Sequence, residues 1–197
     1  MIVITTPTGQ IGAQVLDRIL AGDESVRVIS RDPSRLTAET RGRVEVVQGS
    51  HDDPDVVTEA FEGADTVFWV VPPNMQVQNV VDYYVDFSTP AAEAIGAQGV
   101  KRVVAVSSLG RESGELAKRA GHLSAAFAMD DLFEATGVGY RALRMPFFKE
   151  NLLGQVEAIK NQGVFFLTNA ADRPLATCAS PDVAAAAAMQ WWRWSGR

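Results

Sequence analysis

Apolar, β-branched runs recur along the chain, with stretches of helical spacing between them. They stand at 2–4, 26–30, 44–47, 66–71, 102–107, 140–143 and 164–167, the last reading Val164-Phe165-Phe166-Leu167. Most are continuous rather than alternating, as strands are when both faces are covered. Strand, helix and strand in alternation predict a doubly wound α/β fold, a mainly parallel, Rossmann-like sheet with helices on both faces. No repeat, low-complexity tract or linker interrupts the pattern, which predicts one unit over residues 1–197.

Two places break the rhythm. Pro72-Pro73-Asn74 ends the fourth run, and Pro90 falls inside the helical stretch after it. Proline lacks the amide donor and clashes with the preceding turn, so a kink or a restart is expected near Ser88-Thr89-Pro90. Residues 109–121, rich in glycine and charge, read as a loop at the carboxyl end of a strand, where open α/β sheets bind ligands.

The first run passes through Thr5-Thr6-Pro7-Thr8-Gly9-Gln10-Ile11-Gly12 into a helix expected over about 10–21. A strand, a turn of small residues and a helix start present free N–H groups and the positive helix end to a phosphate. The spacing G-x-x-G-x-x-G would put glycine at 6, 9 and 12, and Thr6 occupies the first of these. Gly9 and Gly12 still allow close approach of a pyrophosphate and tight helix–strand packing. Thr6, Thr8, Gly9, Gln10, Ile11 and Gly12 are therefore candidate dinucleotide contacts; an ordinary βα turn is the competing reading.

Composition narrows the classes. At 197 residues, with 47% hydrophobic and 21% charged, the chain has the make-up of a globular protein with one sizeable core. A net charge of −6 disfavours nucleic-acid and anionic-membrane partners, which call for a basic face. The single cysteine, Cys178, allows no internal disulfide. No basic segment precedes the first apolar run, and no apolar stretch reaches the ~20 residues of a membrane span, so the chain reads as cytoplasmic. No metal site is expected.

After the second run come Ser30-Arg31-Asp32-Pro33-Ser34-Arg35. A carboxylate at this strand end holds a ribose 2′-hydroxyl, as in NAD binders, whereas arginine suits the 2′-phosphate of NADP. Arg31 supplies the planar donor fork, which favours NADP(H) over NAD(H); Asp32 close by leaves NAD(H) open, or else caps the next helix. After the third run, Ser50 or His51 would face an adenine edge, with His51 read also as a surface loop residue. Asp53 before Pro54 reads as a helix cap.

These segments together resemble a known family. The turn at 5–12, Ser30-Arg31-Asp32-Pro33, Gly49-Ser50-His51-Asp52-Asp53-Pro54, the run from Ala64 to Pro73, Val106-Ser107-Ser108-Leu109-Gly110 and Leu143 to Asn151 resemble, in order, the NmrA-like branch of the atypical short-chain dehydrogenase/reductases. The resemblance implies a Rossmann-type NAD(P)-binding domain, with relatives that reduce quinones or dyes and others that only sense the cofactor. It also implies a C-terminal substrate lobe, of which residues from about 145 to 197 would form the start, reduced or truncated. Val71, Pro72, Pro73, Ser107 and Pro146 would complete the cofactor's surroundings, with Leu109, Met145, Phe147 and Phe148 as further pocket walls.

The ordinary short-chain enzyme uses serine and Tyr-x-x-x-Lys. Here Tyr83, Tyr84 and Tyr140 are followed four residues on by Phe87, Ser88 and Arg144, so that dyad is missing. Ser108 ends the fifth run, and His122 opens the next helix near where the tyrosine would fall, which makes the two candidate catalytic residues; a polar residue in a first helical turn is the plainer reading of His122. Hydride transfer to an acceptor that needs little acid help, such as a quinone or an azo compound, is the leading expectation. A non-catalytic NADP(H) sensor with a protein partner is the alternative. Asn151 reads as a helix cap, and Ser180-Pro181-Asp182 as the cap of an alanine-rich helix. A short lobe would leave Phe147, Phe148 and the Trp191-Trp192-Trp194 cluster exposed, which predicts a homodimer or a fragment of a longer protein.

Overall fold

Six of the apolar runs pair side by side, all parallel, in a computed structural model of the chain. The structure describes residues 1–194 apart from Met75, Thr168 and Ala171, and apart from the side chains of Trp192, Arg193 and Trp194. The strands are β1 (Ile2–Ile4), β2 (Val26–Ser30), β3 (Glu45–Gln48), β4 (Thr66–Trp69), β5 (Arg102–Ser108) and β6 (Gly139–Met145). Their order across the sheet is β3-β2-β1-β4-β5-β6. Chain direction through the sheet therefore reverses between β1 and β4, and this topological switch point opens a crevice at the carboxyl ends of the strands.

Successive strand residues point to opposite faces, and each face has its own core. Val3, Val67, Trp69, Val103 and Ala105 face a layer of α3 (Pro54–Phe61), α4 (Val80–Gln98) and α5 (His122–Ala135). Ile2, Ile4, Val28, Phe68 and Val104 face α1 (Gly12–Leu20) and α7 (Ser180–Trp194). Val183, Ala184, Ala187 and Ala188 are small enough for α7 to close up beside α1. The far end of the chain thus returns to the sheet.

The turn chemistry follows the sequence at several joints. Asp32 caps a 3-10 turn over Pro33–Arg35 by accepting from the Ser34 amide, and Asp53 caps α3 by accepting from Asp55 and Val56. Asp182 accepts from the Ala179 amide at the start of α7. A short α2 (Ala38–Arg41) precedes β3, and α6 (Val156–Gln162) follows a 3-10 segment over Lys149–Gln155.

Five expectations are corrected. Residues 164–167 are not a strand: Gln155 occupies both backbone groups of Phe166, its Nε2 donating to the carbonyl at 2.9 Å and its Oε1 accepting from the amide at 2.6 Å. A two-residue β7 (Phe147–Phe148) instead pairs with β8 (Thr177–Cys178). Helix α4 does not restart at Pro90, because the carbonyl deprived of its amide belongs to Asp86, on the exposed side where water serves. Residues 111–119 are not an open loop but 3-10 turns broken at Gly114, with Ser124 holding the Ala117 carbonyl and the Ala120 amide. Asn151 caps nothing and lies exposed within the 3-10 segment. Trp191 is not exposed: it is 5% accessible and edge-on to Phe68. The side chains of Trp192 and Trp194 lie outside the described residues, and Phe147 and Phe148 are half-buried.

Candidate functional site

The turn between β1 and α1 sits at the switch point and is held there by Thr5. Its amide and Oγ1 both donate to the Phe68 carbonyl, and Oγ1 accepts from the Val70 amide at 3.1 Å. Thr6 then takes φ +53°, the left-handed region that a β-branched residue seldom enters. That geometry turns its carbonyl inward, where it accepts from the Gly9 amide at 2.9 Å. A Cβ on Gly12 would lie 2.2 Å from the same oxygen, so glycine is obligatory there. No side chain caps Ile11 at the start of α1, and in the first turn the Ala13 amide donates to the Gly9 carbonyl at 3.0 Å. Thr6, Thr8, Gly9, Gln10, Ile11 and Gly12 thus come together as one cradle.

At the ends of β2, β3 and β4 lies a second cluster. Arg31 is exposed, close enough to the rings of His51 and Tyr83 to act on both electrostatically. Asp32 beside it is committed to Ser34 and its carboxyl is held below the ordinary range by those hydrogen bonds. His51 is not a surface loop residue. It is 6% exposed, its ring set edge-on against Trp69 and Phe87, with Nε2 2.9 Å from the Val70 carbonyl. A carbonyl only accepts, so Nε2 carries the proton, and burial lowers the pKa to about 4. The imidazole is a floor beneath this end rather than a free edge. Tyr83, which sequence reasoning passed over, donates its hydroxyl to the Pro72 carbonyl at 2.9 Å and so braces the Val71-Pro72-Pro73 segment. Ser50 is half-buried in the turn above, its carbonyl accepting from Asp53.

The third cluster stands at the ends of β5 and β6. Ser107 pairs in register with Arg144 and Ser108 with Met145, and the Leu109 amide donates to the Met145 carbonyl at 3.1 Å. Half-buried Pro146 follows directly, its carbonyl 3.9 Å from the Cys178 thiol. His122 is exposed in the first turn of α5, and no hydrogen bond joins it to Ser108 among the described residues. The group that the sequence reading missed is Asp130. It is fully buried, and accepts from Ser107 Oγ at 2.7 Å and from the Tyr140 hydroxyl at 2.5 Å. Its signal was an acid four residues from Ala126 and three from Phe133, on the apolar side of a helix. A cavity of about 450 Å³ opens between α4, α5 and the 3-10 segment, bounded by Val81, Arg111, Lys118, Phe127 and Asp131, and none of the candidate residues lines it. Among the described residues no cluster of His, Cys, Asp and Glu is assembled for a metal ion.

Comparison with known proteins agrees with this geometry. The profile of the NAD(P)H-binding family matches residues 7–188, and the chain belongs to that family. It is 26% identical over 195 residues to quinone oxidoreductase 2 of Escherichia coli, covering 95% of this chain and 63% of the relative. A crystal structure of that NADPH-dependent quinone oxidoreductase with NADPH superposes with a TM-score of 0.79 at 25% identity, over 95% of this chain and 63% of the other. The NADP(H) complex of Citrobacter sp. triphenylmethane reductase superposes with a TM-score of 0.77 at 19% identity, over 95% and 64%, and shows the fold alone. The chain thus spans less than two thirds of the length of these relatives.

Proposed function

We propose that this member of the NAD(P)H-binding family carries an NADPH-dependent reductase activity, passing hydride to a small aromatic acceptor such as a quinone or an azo compound. The observation that carries the cofactor half is Arg31: exposed at the end of β2, beside a cradle at the β1–β4 switch point, while Asp32 is spent on a cap. A free guanidinium suits a 2′-phosphate, and a carboxylate engaged elsewhere does not suit a 2′-hydroxyl. The acceptor half is supported by the relative with a quinone oxidoreductase name.

The residues fit a dinucleotide. The backbone of Thr8, Gln10, Ile11 and Gly12 would hold the pyrophosphate at the start of α1, with Gly9, whose amide is engaged by Thr6, allowing its close approach, and with Arg31 and Ser50 at the adenosine end above the His51 floor. Val71, Pro72, Ser107 and Pro146 would line the reactive end. NADPH supplies the hydride when bound. The chain's own work is to orient and to exclude water: Phe147 and Phe148 form an apolar wall, braced by the β7–β8 pair.

Steady-state NADPH oxidation with a panel of quinones and azo dyes, alongside cofactor titration, tests the reading. Turnover supports it. Tight NADPH binding without turnover on any acceptor supports the sensor instead, which the missing Tyr-x-x-x-Lys favours. No helix among the described residues is long and apolar enough to cross a membrane, consistent with the proposed cytoplasmic setting. Homodimerisation belongs to the same reading, now through exposed Leu153, Phe165 and Phe166 rather than Trp191, and light scattering decides it.

A further inference from the structure

Val103, Ala105 and Ser107 follow one another on the face of β5 that looks toward α4 and α5, and Ser107 is the last of them. Its hydroxyl ends on Asp130 Oδ2 at 2.7 Å, and Tyr140 of β6 holds Oδ1 at 2.5 Å. Arg111 NH1 reaches Oδ2 at 3.5 Å from the 3-10 segment. Arg111 is shared: Asp131 and Glu134 of α5 also bind it, and Glu112 beside it engages Arg144 of β6. The surroundings of Asp130 hold two arginines against three further acids. A carboxyl with no exposed surface is expensive to keep there as a packing element, since an apolar side chain of the same volume would serve better. Burial pushes its pKa up, against the two hydroxyls and the arginines, which pull it down. The only hydrogen-bonded path from it toward the strand ends runs through Ser107 among the described residues.

We propose that Asp130 is the proton reserve behind Ser107, standing in for the missing Tyr-x-x-x-Lys. The proposal rests on the reductase reading. Reduction of a quinone to a hydroquinone takes one hydride from NADPH and one proton. Ser107 donates to the ionised carboxylate across the 2.7 Å contact. When Asp130 is protonated the contact reverses, its Oδ2–H donating to Ser107 Oγ and freeing the Ser107 hydrogen to face the acceptor. The new O–H bond of the acceptor then forms as the Ser107 O–H breaks, and the Ser107 O–H is restored as the Asp130 O–H breaks. Asp130 is left as a carboxylate, held by the Tyr140 hydroxyl and by Arg111, until a proton from water returns along the Arg111 side chain, which is 25% exposed. Asp130 acts through Ser107 and is a positioning residue; Ser107 is the group that touches the acceptor.

Two readouts test it. In the cofactor-free protein, infrared titration is expected to show a protonated carboxyl band that is absent from Asp130→Asn and persists above the pH range of exposed aspartates. In Tyr140→Phe, which lacks one donor to the carboxylate, that band should persist to still higher pH. With NADPH and a quinone, wild-type kcat should fall as pH rises through the same titration. Asp130→Asn should lose that limb and run on the order of 100-fold slower, with its NADPH Kd unchanged. If Asp130→Asn does not fold, the upward shift of the limb in Tyr140→Phe carries the test. A rate loss uniform across pH with the limb in place, or a carboxyl ionised throughout, overturns the relay alone. No turnover in the wild type overturns the reductase reading and the relay with it.

Discussion

The carbonyl of Thr6 occupies the space that a side chain on Gly12 would need, a Cβ there falling 2.2 Å from the oxygen. The two residues close the turn between β1 and α1 together. Gly12→Ala should therefore cost about 1–3 kcal/mol as α1 is forced away, and weaken NADPH binding as well. Thermal unfolding and cofactor titration check both. Gly9→Ala, at 3.2 Å from the same oxygen, should be milder.

Thr6 itself sits at φ +53°. Left-handed backbone costs an L-residue about 1–2 kcal/mol, and glycine returns about 0.5–1 kcal/mol of that as chain entropy. Thr6→Gly should raise stability by roughly 0.5–1 kcal/mol, read from chemical denaturation. A fall in stability would mean that the Thr6 side chain contributes more than its strain removes.

Arg31 should set the cofactor preference. Arg31→Ala is expected to weaken NADPH binding by about 1.5–3 kcal/mol, the loss of a charge-assisted contact, and to leave NADH nearly unchanged. The ratio of the two dissociation constants is the measurement. An unchanged ratio would remove the assignment.

His51 should make stability depend on acid. Its pKa is about 4 when folded, against 6.5 for an exposed histidine, because burial penalises the charged ring. Between these values the unfolded chain binds the extra proton. Stability is thus full above pH 6.5, falls as pH is lowered, and levels off below about 4, a loss on the order of 3 kcal/mol. Denaturation at a series of pH values should show the slope in wild type, and His51→Leu should flatten it.

Ser180 joins three elements. It accepts from Gln14 Nε2 of α1 at 2.9 Å, and its hydroxyl and amide both donate to Glu150 Oε1, at 2.6 and 2.7 Å. Ser180→Ala should cost about 1–2 kcal/mol, and Glu150→Ala a similar amount. A double-mutant cycle between Gln14 and Glu150 should show coupling that vanishes in the Ser180→Ala background.

What the sequence by itself determined is local. Continuous apolar runs specify strands covered on both faces, the Thr5–Gly12 turn specifies a tight strand-to-helix joint, and Asp32 and Asp53 specify caps, because each works through partners within a few residues. Arg31 was legible for the same reason, its position following from the end of one strand. Tertiary structure decided everything that depends on a distant partner. His51 lies inside because Val70, Trp69 and Phe87 enclose it. Residues 164–167 lose their strand where the Gln155 side chain takes both backbone groups of Phe166. Trp191 is covered because α7 returns to a sheet more than a hundred residues earlier in the chain. Asp130 is a network centre because β5 and β6 bring Ser107 and Tyr140 to its two oxygens. Periodicity shows which face of a helix is apolar, but whether a polar residue on that face finds its partners is settled only when the strands are in register.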